Sequence, residues 1–522
     1  MKKNKTLIYF LLCSVLCWFS CTEKYEDYNT DIIGGATDEE LERDGYAINS
    51  SLLSMGDYIV PTDVNTSQFV ECLLGGSFGG YLADSNDGFN GKNFATYSPE
   101  EHWLQFTFNN IIPAIFIRSN DLKQKTTDPV ILAVSDILKV MALSKVSDIY
   151  GPIPYSKVGL DGALEAPYDS QEEMFNRMFD ELDNAITALT NNRTANFSPR
   201  ADNVYNGNVV NWVKLANSIK LRLAMRIADV KPELAKAKAT EAVNHEIGVM
   251  TSNADNAWKP APGKNPFRVV MYEYNDGDSR ISADITSYMN GYKDPRREKY
   301  FTQSTFSGTI ENGYYGLRSG IQIPGGGIVK QYSNMLVQEN TKLLWMNAAE
   351  VAFLRAEGAL RGWNMGGDAE SLYNKGISLS FEQWGASGAS DYVKNDTDMP
   401  ASYVDPVGMF SYTGAPSNIT IKWDASATKE KNLERIITQK WIAIFPMGVE
   451  AWSEYRRTGY PKLMEVLRNN SGGKVSTERM ARRLPYPQRE YSENGENVNY
   501  AVSNYLKGSD NMGTDVWWAK KQ

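Results

Sequence analysis

Apolar residues recur at helical spacing in two long blocks of the chain. Asp128-Pro129 supplies an N-cap and a first-turn proline. It opens a run from Val130 to Val146 that is apolar on nearly every side, which predicts a buried helix. Ser170 and Glu173 form a capping box, and behind it Phe175, Met178, Phe179, Leu182, Ile186 and Leu189 fall on one stripe. Asn208 can cap a helix running to about Asp229, and a fourth spans Leu234 to about His245. From Asn347 to Arg361, Ala349, Ala352, Ala356 and Ala359 make a small-residue stripe that lets another helix approach closely. Leu433, Ile436, Ile437, Lys440, Trp441 and Ile444 place mostly apolar groups on one face before Pro446. A further helix from about Val449 ends at Gly459 and Pro461. Paired helices with short turns predict tetratricopeptide-type packing over 128–245 and 343–460, although no strict repeat consensus is visible.

Elsewhere the periodicity fails. Residues 75–110 are rich in Gly, Asn and Asp at their start, 251–330 carry Pro260, Pro262, Pro266 and a Gly-rich stretch from Gly308, and 385–430 show little pattern. Loops this long in a compact domain are usually functional. The reading is an all-α body over 41–522, with long irregular ligand-binding excursions mainly at 75–110, 251–330 and 385–430.

The start of the chain differs from both. Lys2, Lys3 and Lys5 precede an apolar run from Leu7 to Phe19, too short to span a membrane and suited to a secretory signal. Ser20-Cys21 then fits lipoprotein processing, with 1–20 removed, Cys21 lipidated and an acidic tether over 21–40; Trp18 departs from the strict processing pattern. Cys13 and Cys17 leave with the signal, so Cys21 and Cys72 cannot form a structural disulfide in the processed chain.

Composition narrows the chemistry. Of 522 residues, 42% are hydrophobic and 22% charged, which excludes disorder as the main state. A net charge of −9 repels phosphate backbones and argues against nucleic-acid binding. Only His102 and His245 are available, against multi-histidine metal sites and histidine triads. Asp276-Gly277-Asp278 and Asp84 to Asp87 look like calcium loops but lack the EF-hand spacing and its closing Glu. No phosphate-binding loop is present, because Gly325-Gly326-Gly327 lacks the following Lys-Ser/Thr.

Several segments, in order, resemble the SusD/RagB family of nutrient-binding surface lipoproteins of Bacteroidetes. They are Ser147-Asp148-Ile149-Tyr150-Gly151-Pro152-Ile153-Pro154-Tyr155, Asp294-Pro295-Arg296, Asn347 through Glu357, Ile437 through Pro461, Leu484-Pro485-Tyr486-Pro487 and Trp517-Trp518. The resemblance implies a body of four tetratricopeptide-like helix pairs and attachment to the outer membrane, facing outward. It implies a SusC-like TonB-dependent transporter as partner, a role as lid that captures and delivers ligand, and no catalysis. A structural calcium is possible, as in some relatives; no other cofactor is expected. On physical grounds Glu350, Lys440, Arg456 and Arg457 read as ion pairs between packed helices.

A glycan site needs aromatic faces edged by polar side chains. The candidates are Tyr81, Asp84, Phe89, Asn90 and Tyr97 in the early excursion and Tyr272, Tyr292, Tyr314, Tyr315 and Arg318 in the later one. Trp103, near Phe106 and Phe108, reads as core before platform. A peptide cargo, as in RagB-like members, is the alternative. A glycosidase is the remote one, requiring two carboxylates across a cleft.

Overall fold

A computed structural model describes residues 45–159, 165–307 and 313–519. The expected signal peptide, lipidated Cys21 and acidic tether lie outside the described residues. The chain divides into residues 1–50 and a compact unit of 51–522.

Twelve α-helices of nine or more residues are described. They are α1 (Tyr46–Gly56), α2 (Glu101–Lys125), α3 (Pro129–Tyr150), α4 (Gln171–Asn191), α5 (Val209–Arg226), α6 (Pro232–Asn244), α7 (Ala283–Gly291), α8 (Ala348–Leu360), α9 (Ala369–Gln383), α10 (Lys429–Ala443), α11 (Gly448–Thr458) and α12 (Gly495–Asn504). The local signals hold where they were read. The Asp128 carboxylate caps α3 at Val130 N–H, Ser170 and Glu173 close their box on α4, and Asn208 caps α5 at Asn211 N–H. Gly459 ends α11 at φ +83°, a left-handed turn that favours glycine.

Consecutive helices α2 to α6 pack each on the next, α8 packs on α9 and α10, and α5 joins the two blocks through α8. Among the described residues the sheet content is slight: three antiparallel pairs, β1 (Leu82–Asp84) with β5 (Ser279–Ile281), β2 (Ile153–Pro154) with β3 (Tyr168–Asp169), and β4 (Ala257–Lys259) with β6 (Leu343–Met346). The β1–β5 pair matters most, because it ties the early irregular segment to the later one.

The structure departs from the sequence reading near the start of the unit. Residues 101–110, read as part of a loop-rich excursion, lie in the 25-residue α2, which carries Pro113 in its interior. Gln68–Gly76 is a π-helix packed against α11.

A buried ion network fills the space between the helical blocks. Arg222 and Arg226 on α5 meet Glu350 on α8 and Glu450 and Glu454 on α11; Arg457 grips Glu357 and Glu454; Lys440 on α10 reaches Glu350, Glu450 and Glu454. The Arg456 guanidinium lies 3.6 Å from the Trp452 ring centre and donates to the Asp148 carbonyl. These charges therefore join helices, as their sequence positions suggested.

Candidate functional site

Three irregular segments converge on one apolar floor. The floor is Ala83, Phe306, Leu317, Ile321, Ile323, Val329, Tyr332 and Phe410, all buried. Phe89, Tyr315, Ile328 and Val407 pack on it and stay partly open to solvent. Each comes from a different turn: Phe89 from a 3-10 turn capped by Asn86, Tyr315 and Ile328 from either side of the Gly-rich stretch, and Val407 from the segment after α9.

Backbone hydrogen bonds tie part of the floor together, with Leu317 N–H on Ile281 C=O at 2.8 Å and Ser333 N–H on Tyr315 C=O at 2.9 Å, and side chains fasten the rest. The Asn90 amide donates to Ile323 C=O at 2.8 Å while its carbonyl accepts from Ile323 N–H at 2.8 Å, mimicking a strand partner. Asp405 accepts from the Tyr332 hydroxyl, from Met409 N–H at 2.7 Å and from Phe410 N–H at 3.0 Å. Tyr403 donates to Gly316 C=O at 2.6 Å, fastening the 403–412 segment to the stretch that carries Tyr315. Beneath Phe89, the Trp103 indole sits edge-on at 5.1 Å.

Behind the patch lies a polar cluster. The Asp278 carboxylate accepts from Gln68, Asn86 and Asn275. Lys330 donates to Gly277 C=O, and burial together with the nearby Arg280 pushes its ammonium down to about 8. Asp84 is 4% exposed and one of its oxygens has no partner. Burial pushes its carboxyl up to about 7 against a single hydrogen bond from Ser77.

The sequence-predicted residues divide on burial. Phe89, Tyr314 and Tyr315 keep open ring surface, and Asn90 lies at the edge of the patch. Arg297 stacks over Tyr314 at 4.8 Å, and Arg268 over Tyr272 at 4.0 Å, while the Tyr272 hydroxyl donates to Met335 C=O. Tyr272 is half-buried beside the polar cluster rather than on the apolar floor.

Five expectations need correcting. Tyr81 is fully buried, stacked on Trp441 at 5.5 Å and donating to its carbonyl, so no ring face is left for a sugar. Tyr97 is buried at φ +60°, against Phe78. Tyr292 is buried with its hydroxyl on Ile419 C=O. Arg318 is 1% exposed and spends its guanidinium on the Phe410 and Glu465 carbonyls. Asp84, equally inaccessible, accepts from Ser77 and presents no open surface to a ligand.

The sequence reading missed Ile328, Val407 and the anchor Asp405, because an isolated aliphatic or acidic residue in an aperiodic segment carries no sign of facing a site. Among the described residues, no group of three His, Cys, Asp or Glu is placed to hold a metal ion. No described helix is long and apolar enough to cross a membrane.

A family model described as "SusD-like: Susd and RagB outer membrane lipoprotein" matches residues 27–519. The fold is similar to that of a SusD homologue from Bacteroides uniformis at 48% identity, covering 91% of this chain and 100% of that one, with a TM-score of 0.88. It is similar to a SusD homologue from Bacteroides ovatus at 43% identity, 92% and 100% coverage and TM-score 0.87. A chitin-binding SusD homologue from Flavobacterium johnsoniae is 41% identical, with 91% and 99% coverage and TM-score 0.86. A stretch of 264 residues is 23% identical to an S-adenosylmethionine synthase from Methanothermobacter marburgensis; it covers 49% of this chain and 59% of that protein, so the chain spans under two thirds of that curated relative.

Proposed function

The chain belongs to the SusD-like family of outer-membrane lipoproteins, and from that premise we propose that it captures glycans at the cell surface and hands them to a SusC-like TonB-dependent transporter without altering them. The observation that carries this reading is the three-segment patch, where Phe89 and Tyr315 present partly open rings over an apolar floor. Such rings match the C–H faces of pyranoses, and the exposed Asp87 carboxylate beside Phe89 suits their hydroxyls. The chitin-binding relative makes N-acetylglucosamine polymers the first cargo to try.

The anchor in this reading is the lipid on Cys21, with the acidic 21–40 segment as tether. Cys21→Ala is expected to move the protein out of the outer-membrane fraction; retention there refutes the anchor.

Calorimetry tests the site directly. Phe89→Ala and Tyr315→Ala are each expected to weaken glycan binding by about 1–2 kcal/mol, roughly what one ring contact contributes. Full affinity in both variants refutes the patch, and conversion of the glycan during titration refutes the non-catalytic reading. A peptide that binds while every glycan fails moves the cargo to the RagB-like alternative.

A further inference from the structure

α2 runs away from the patch and carries a second face that is open to solvent. His102, Phe106, Asn109, Asn110, Pro113 and Ile117 follow one another at helical spacing and fall on one side of the helix. None of the six is buried, and Ile117 is 60% exposed. The near end is aromatic. Phe106 stacks on Phe69 at 4.2 Å and 21°, and Phe69 reaches Trp103 at 5.2 Å, the same indole that supports Phe89. The far end is a groove of about 590 Å³, walled by α2 on one side and by Tyr58, Pro61 and Thr62 on the other.

The groove mixes ring and aliphatic surface with hydrogen-bonding groups that have capacity to spare. Among the described residues, nothing engages the Tyr58 or Thr62 hydroxyls. Pro113 has no N–H, so the Asn109 carbonyl four residues earlier loses its helical donor and is left as an acceptor on the groove side. The Asn109 amide donates only to Gln105, and Arg118 uses its Nε on Ser54, keeping terminal N–H groups to donate. A backbone acceptor, hydroxyls and amides beside apolar rings are the partners that a pyranose chain recognises.

We propose that this groove is a second glycan subsite, which holds the continuation of a polysaccharide whose first residues sit on Phe89 and Tyr315. The inference rests on the glycan-capture reading above. From Trp103 to Ile117 the helix rises about 21 Å, a distance that an oligosaccharide crosses and a disaccharide does not. Two weak contacts on one ligand bind it more tightly than either alone, because the second forms at high effective concentration.

The test uses the full chain in detergent and calorimetry with fragments of chitin, xylan, starch and β-glucan, each as disaccharide and hexasaccharide. For the cognate polymer the hexasaccharide is expected to bind about tenfold tighter than the disaccharide. Tyr58→Ala, and Asn109→Arg, which fills the groove, are each expected to abolish that advantage and leave disaccharide affinity unchanged. Phe89→Ala is expected to weaken both fragments. A hexasaccharide advantage that survives both groove variants overturns the proposal, as does a groove variant that weakens the disaccharide equally. If no fragment binds the unaltered chain, the capture reading falls and the subsite falls with it; binding without a length advantage removes the subsite alone.

Discussion

Asp84 shows how little a residue's identity says about its task. Ser85, Asn86, Asp87 and Gly88 follow it, which suggests an exposed rim, yet it is buried in β1 opposite Ser279. The folded carboxyl titrates near 7, against an ordinary value of 3.8. A raised acid pKa favours the protonated form in the fold, so the contribution of Asp84 to stability is greatest below 3.8, falls as pH rises towards 7 and then levels off. Asp84→Asn removes that slope. The variant is expected to gain about 1–3 kcal/mol over the parent between pH 5 and pH 8. Denaturant unfolding at both pH values checks this, and an equal gap at the two pH values rules it out. The same burial hides Tyr81, Tyr97, Tyr292 and Arg318. An aromatic or an arginine in a glycine-rich run reads as a binding residue whether it points in or out, and only packing between distant segments decides which. Phe89 and Tyr315 were legible as aromatics in aperiodic loops, but nothing local separated them from the four that are buried.

Elements were legible wherever a local signal defined them. The caps of α3, α4 and α5 and the glycine stop of α11 involve residues within a few positions of each other. α2 was missed because Pro113 and the polar Asn109-Asn110 interrupt its stripe; neighbouring helices and the π-helix hold it instead. The π-helix was hidden for another reason. Gly75 and Gly76 look like loop glycines, but they let two backbones touch. A Cβ on Gly448, at the start of α11, would fall 2.3 Å from the Gly75 carbonyl carbon and 2.5 Å from Gly76 N. Rotamer change cannot relieve a clash with main chain, so Gly448→Ala is expected to cost about 1–3 kcal/mol or more. Gly495, where α12 begins, meets nothing within 4 Å. Gly495→Ala is expected to be neutral or to stabilise by about 0.5 kcal/mol. Thermal unfolding of the pair side by side separates close approach from a general intolerance of glycine replacement; equal losses would refute the contact.

Across the whole molecule, the buried ion network gives the helical blocks a common dependence on pH. Glu454 is 3% exposed in its side chain and contacts Arg226, Lys440 and Arg457 on three helices. Burial alone would raise its carboxyl; Arg457, Lys440 and Arg226 outweigh that and hold it well below the usual 4.5. Glu450 and Glu357 are lowered in the same way. A depressed acid pKa contributes stability that is present above 4.5 and is lost as pH falls through the folded value. The protein should therefore unfold cooperatively on acidification. Glu454→Gln leaves three cations short of a counter-charge in a site that excludes water, at an expected cost of about 3–5 kcal/mol at neutral pH. Because the variant has already lost that carboxylate, its stability should fall less steeply with acid, and the two curves should converge towards low pH. Chemical denaturation from pH 7 down to pH 3 measures both. A constant offset between the curves would mean that Glu454 contributes packing and not charge, and that the network orients the helices without coupling them to pH.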